Sequence, residues 1–171
     1  MRRNSFLFYW LALLAGPSGL AALSPPETVI ARATRPDYVF VSWDAVGGAA
    51  EYQVFRSAGG EFSLIGTTSE TYFADEPVSP ATAYLYRVRA LDATGQPSGD
   101  SLVTLATTIP FTDPVITPQG TTVKAAHVVE LGEAVNAARG AAGLPPETFA
   151  VLTAGATPVE AAHVMNLRNA L

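Results

Sequence analysis

Thr82-Ala83-Tyr84-Leu85-Tyr86-Arg87-Val88-Arg89-Ala90 sets Tyr84, Tyr86, Val88 and Ala90 in strict alternation with Leu85, Arg87 and Arg89, and Leu91 continues the second set. A period of two puts each set on its own face of a strand, so the first set is the expected core and the second faces out or lies near the rim. The same alternation runs through Val39, Val41 and Trp43 against Phe40 and Ser42, and through Tyr52 and Val54 against Gln53 and Phe55. Gly47-Gly48, Gly59-Gly60, Asp75-Glu76-Pro77 and Thr94-Gly95-Gln96-Pro97 break the chain between such runs. Strands are expected at 28–33, 38–44, 51–57, 62–67, 71–73, 83–91 and 101–107. Seven short strands between residues 25 and 108 fit one Greek-key sandwich.

Val39-Phe40-Val41-Ser42-Trp43-Asp44, Tyr52-Gln53-Val54-Phe55-Arg56-Ser57 and the Thr82–Ala90 run together resemble a bacterial fibronectin type III domain, without a gap over residues 26 to 108. The resemblance implies an all-β immunoglobulin-like sandwich. It implies that Trp43 fills the core centre and that the Tyr84 hydroxyl bonds back to the preceding corner. Asp75 holds the usual place before that corner, and Ser98 the turn before the last strand. Trp43 and Tyr84 therefore read as structural core. Adhesive members of the family use an Arg-Gly-Asp loop; Ser98-Gly99-Asp100 lacks the arginine, so integrin-type adhesion is not supported. In this fold the third and sixth strands pair, which brings the outward residues Gln53, Phe55, Arg87 and Arg89 together. An aromatic ring beside two guanidinium groups is a candidate site for a glycan or a partner chain. The alternative is a solvated face on which arginine stems cover Phe55.

Beyond residue 111 the pattern changes. Val123–Val135 aligns with Val159–Leu171 at an offset of 36, with identity at seven of 13 positions, including His127 with His163. This reads as an internal duplication, each copy an extended lead-in followed by a helix. Thr157-Pro158-Val159-Glu160 carries a helix start, with Thr157 as cap and Glu160 closing a capping box. The first helix is expected over about 122–142, stopped by Gly143 and Pro145-Pro146. The expected apolar stripes are His127, Val128, Leu131, Ala134, Val135 and Ala138, and His163, Val164, Leu167, Ala170 and Leu171. They should pack on each other about a pseudo-twofold axis, sealed by Ile116 and Leu152.

This half resembles helical repeats at the C-termini of secreted bacterial proteins and has the layout of a dockerin, without its calcium ligands. The places that would supply oxygen hold Ile116, Pro118, Gly120, Lys124 and His127, and Leu152, Ala154, Ala156, Glu160 and His163. His127 and His163 are the only histidines. They either meet across the twofold as a pH-sensitive or metal-binding pair, or hydrogen-bond the other unit's lead-in as structural residues. The structural reading is preferred, and no metal or cofactor is expected.

The whole is expected to be multidomain: a signal peptide at 1–21, a sandwich at 25–108, a linker and lead-in at 109–120, and a two-copy α-helical module at 121–171. Arg2-Arg3, the apolar run Phe6–Ala15, Gly16-Pro17 and small residues up to Ala21 or Ala22 read as an export signal. Cleavage after Ala21 or Ala22 would leave a chain without a membrane segment, secreted or periplasmic; retention of the run as an anchor is the alternative. Of 10 basic residues, removing Arg2 and Arg3 leaves 8 against 15 acidic ones. That balance disfavours nucleic acid. The absence of cysteine excludes disulfides, thiolate metal sites and a cysteine nucleophile. No nucleophile elbow or phosphate loop is present, so catalysis is not expected. The expected role is a non-catalytic binding or spacer module, monomeric by default, with an unidentified protein or glycan partner.

Overall fold

The computed structural model describes residues 22–113, 115, 117, 122–153 and 156–171. The expected export signal at 1–21 and Ile116 lie outside the described residues. Seven strands, β1 (Ile30–Arg35), β2 (Tyr38–Ser42), β3 (Glu51–Ser57), β4 (Ser63–Thr68), β5 (Tyr72–Asp75), β6 (Ala83–Leu91) and β7 (Thr104–Thr107), precede two helices, α1 (Ala125–Ala141) and α2 (Ala161–Asn169). The strands form two antiparallel sheets, ordered β1-β2-β5 and β4-β3-β6-β7. This is a fibronectin type III-like sandwich with a small helical region after it.

The alternation places the core. Val39, Val41, Val54, Tyr86, Val88 and Ala90 are fully buried between the sheets. Trp43 is 5% exposed and its ring stands 5.4 Å from that of Tyr52. Burying these side chains supplies most of the drive to close the sandwich. Leu91, expected to face out or lie near the rim, is buried at the end of β6 beneath a bridge to Pro97.

Polar ties do the work that cysteines cannot. Asp75 on β5 accepts from Arg56 Nη1 at 2.9 Å and from the Tyr86 hydroxyl at 2.7 Å, both on the opposite sheet. Burial, reinforced by the Asp75 carboxylate, pushes the Tyr86 phenol well above its ordinary pKa. The Tyr84 hydroxyl accepts the Ser79 N–H at 2.8 Å, and Ser98 Oγ accepts the Ala90 N–H at 3.0 Å. At the end of β7, Thr108 is 2% exposed. Its hydroxyl donates to the Ser79 carbonyl at 2.8 Å and accepts the Thr82 N–H at 3.1 Å. Ile65 is the extra residue of a bulge in β4, and Gly66 beside it lies under Phe73 of β5. A Cβ on Gly66 would stand 2.4 Å from Phe73 Cε2, so the site admits only glycine without displacing that ring.

The helices start later than the sequence predicts. The first residues with helical geometry are Ala125 and Ala161, after extended Lys124 and Glu160. His127 Nδ1 accepts the Lys124 N–H at 3.1 Å, and His163 Nδ1 accepts the Glu160 N–H at 3.0 Å. Each imidazole thus takes the third-residue role usually given to Glu or Gln in a capping box. Thr157, the expected cap, accepts instead from the Thr153 N–H. α1 ends as predicted at Gly143, at φ +74°, with Leu144 N–H bonded to the Arg139 carbonyl at 2.8 Å and Gly143 N–H to that of Gly140 at 3.0 Å.

Val128, Val135, Leu152, Leu167 and Ala170 form a second small core. Leu131, Val164 and Leu171, expected in the stripes, are exposed. The reason is that α1 serves two neighbours: it packs on α2 and also lies against β6 and β7. Its buried line is therefore Val128, Gly132 and Val135, which leaves Leu131 to one side. Gly59, in the β3–β4 turn, meets the C-terminal end of α1; a Cβ there would stand 2.8 Å from the Gly140 carbonyl oxygen. The start of the expected linker is also tied down. Ile109 is buried, and Thr112 N–H donates to Glu130 of α1 at 3.0 Å.

Candidate functional site

Two places carry chemistry worth describing. The first is the outer face of the four-stranded sheet. β3 and β6 pair in the register Gln53–Arg89 and Phe55–Arg87, so all four predicted patch residues are brought together. The Arg87 guanidinium carbon lies 5.3 Å from the Phe55 ring centre and 4.4 Å from that of Phe62. Arg89 lies 5.0 Å from Phe55. Asp100 clamps both arginines, at 3.0 Å to Arg87 Nη1 and 2.7 Å to Arg89 Nη2. Arg87 Nε is buried and has no hydrogen-bond partner among the described residues. Phe55 and Phe62 are half-buried, with guanidinium groups over their rings.

The sequence reading missed Phe62 and Asp100. Phe62 precedes β4 and Asp100 precedes β7, so neither shares the alternation that picked out the other four. Chemically the patch is a stack of ring, guanidinium and carboxylate. One carboxylate against two guanidinium groups leaves one positive charge in excess, and the face adds flat stacking area and hydrogen-bonding edges.

The second place is the helical region. His127 and His163 do not form a pair. Each is committed through Nδ1 to its own helix start, not to the other unit's lead-in. With Nδ1 accepting, the ring proton of His127 sits on Nε2, 2.8 Å from Asp113 Oδ2. Lys124 Nζ lies 2.6 Å from the same oxygen. Hydrogen bonds from Lys124 and His127 hold the Asp113 carboxyl below its ordinary range. Among the described residues no group of three His, Cys, Asp or Glu side chains is placed to hold a metal. Between α1, α2 and residues 147–152 runs an open groove of about 360 Å³, floored by Val128, Gly132, Phe149, Leu152 and Leu167. Among the described residues no helix is long and apolar enough to cross a membrane.

No family model matches the chain. Curated relatives align to part of it. Poly(3-hydroxybutyrate) depolymerase of Ralstonia pickettii is 34% identical over 102 residues, which is 58% of this chain and 20% of that protein. Alpha-amylase of Niallia circulans is 36% identical over 86 residues, 48% of this chain and 6% of that protein. Endoglucanase B of Cellulomonas fimi is 37% identical over 67 residues, 39% of this chain and 6% of that protein. The chain thus spans a fifth or less of the length of these relatives. Among solved structures, an Fn3-like protein from Clostridium thermocellum aligns with TM-score 0.47 and 28% identity, over 50% of this chain and 93% of that one. The sixth fibronectin type III domain of human fibronectin type III domain containing protein 3 aligns with TM-score 0.48 and 21% identity, over 60% of this chain and all of that one.

Proposed function

We propose that this chain is an exported, non-catalytic binding or spacer module that works beside enzymes degrading extended polymers, with its helical pair as a docking tail. The observation that carries the reading is the pattern of partial matches. Relatives named as a polyester depolymerase, an amylase and glucanases share only a short stretch with it. The polar groups described in the sandwich support the same reading, because they are spent on structure. Asp75, Tyr84, Tyr86, Ser98 and Thr108 tie strands together. The stacked Phe55, Phe62, Arg87 and Arg89 face is the candidate contact for a glycan or a partner chain.

The test is to incubate the whole chain with cellulose, starch granules and poly(3-hydroxybutyrate) granules, and to measure both depletion from solution and product release. Retention on at least one polymer without product is the expected outcome, reduced by Phe55→Ala. Product release by the chain alone would sink the non-catalytic reading. A second reading is favoured by the small share of each relative that the chain covers: an accessory remnant of a larger hydrolase. It predicts no retention but a gain in activity when the chain is mixed with such an enzyme.

A further inference from the structure

The groove on the helical region has an unusual set of unspent groups. Val128, Leu152 and Leu167 are buried at its floor, while Val129 and Val151 stand exposed at its rim. Glu147 at one end is already paired with Arg139 at 3.0 Å. Glu133, on the exposed side of α1, has no ion-pair partner among the described residues. His163 also lines the groove, and its Nδ1 accepts the Glu160 N–H, so the ring proton sits on Nε2. His127 spends the equivalent proton on Asp113, which lies 14 residues before it. The residue 14 before His163 is Phe149, whose ring sits over Gly132 with Cδ2 3.0 Å from where a Cβ would be. His163 Nε2 is left with no hydrogen-bond partner among the described residues. The groove therefore presents an apolar floor, one N–H without an acceptor and one carboxylate without a cation.

We infer that this groove docks a basic, apolar peptide segment of a partner protein. An apolar side chain fills the recess, a backbone carbonyl accepts from His163 Nε2, and a lysine or arginine meets Glu133. A carboxylate on His163 would lie in the field of Glu133, Glu147 and Glu160, which selects against an acidic ligand. Self-association through this face is opposed by the chain's own balance of 15 acidic to 10 basic residues.

The inference rests on the docking role proposed above for the helical tail, and its test does not use the polymers. The probes are a hexapeptide alternating lysine and leucine and one alternating glutamate and leucine, titrated into the isotope-labelled full chain and followed by the two histidine ring signals. The lysine peptide is expected to move the His163 signals and leave those of His127. Glu133→Lys should weaken it by about tenfold or more, while Glu70→Lys, on an exposed turn of the sandwich, leaves the affinity unchanged. Binding of neither peptide, equal binding of both, no effect of Glu133→Lys, or signals that move with protein concentration alone would each overturn the inference. Retention on a polymer without peptide binding would overturn the groove and leave the polymer role standing.

Discussion

Asp75 is the side chain through which the two sheets are tied. Its carboxylate is 9% exposed and receives Arg56 and Tyr86 from across the sandwich. A buried ion pair adds little net stability over an apolar pair, but removing one partner strands the other. Asp75→Ala is expected to cost about 2–4 kcal/mol, somewhat below a fully buried pair because Arg56 keeps partial contact with water. Asp75→Asn, which still accepts from Tyr86, should cost less; urea denaturation followed by tryptophan fluorescence measures both. Asp113 gives a pH prediction. Its pKa in the folded chain is lowered by Lys124 and His127. A lowered folded pKa means that the stabilisation is complete above the ordinary aspartate range and is lost as pH falls through the folded value. The stability gap between the natural chain and Asp113→Asn is therefore expected to be largest at neutral pH and to close in acid. A gap that does not change with pH would contradict the Asp113 contacts.

α1 and α2 depend on each other, but not equally. α2 has nine residues and buries only Leu167 and, at its cap, Ala170, so it is too short to hold alone. α1 has a second support, because its C-terminal end rests on the sandwich. A chain ending at Pro146 loses Leu152, Leu167 and Ala170 and is expected to fray α1 from Ala125 while keeping its last turns. Circular dichroism should then show loss of α2 and part of α1, rather than of all helix. This asymmetry was not legible in the sequence. The stripe through Leu131 is sound as a period, but which side of it faces inward depends on β6 and β7, far away in the chain. The strands were legible because period two fixes both faces at once: β3 and β6 run over the predicted residues, and Trp43 and Tyr84 lie where the pattern puts them. The helix starts were misread for a chemical reason. Thr157 and Glu160 match the usual capping pattern, whereas the cap is made by an imidazole, which that pattern does not include. The outer patch was half legible, since alternation finds Gln53, Phe55, Arg87 and Arg89 but is blind to Asp100, which bridges the two cations.

At the scale of the whole molecule, the contact at Gly59 decides whether sandwich and helices behave as one unit. Gly59 has φ +103° and approaches the Gly140 carbonyl too closely for any side chain. Gly60 beside it has open space around the position of a Cβ. Gly59→Ala is therefore expected to separate one thermal transition into two, with helical dichroism lost before tryptophan fluorescence changes, while Gly60→Ala leaves a single transition. Part of the Gly59→Ala effect is strain in the turn itself, since alanine disfavours positive φ. That part lowers the sandwich transition; only loss of the contact lowers the helical one.

The way β7 ends has a mechanical consequence. Thr108 is clasped by Ser79 and Thr82 on the far side of a tight corner, so traction arriving from the C-terminal side meets a locked buckle at the edge of the sandwich. Among the described residues just beyond that buckle, the chain is held to α1 by polar ties, Thr112 to Glu130 and Asp113 to Lys124 and His127. Under load from that side these polar ties are expected to part before the Thr108 clasp opens, so that the helical region would detach ahead of the sandwich. The sandwich would then be spared while the chain gains slack on its C-terminal side.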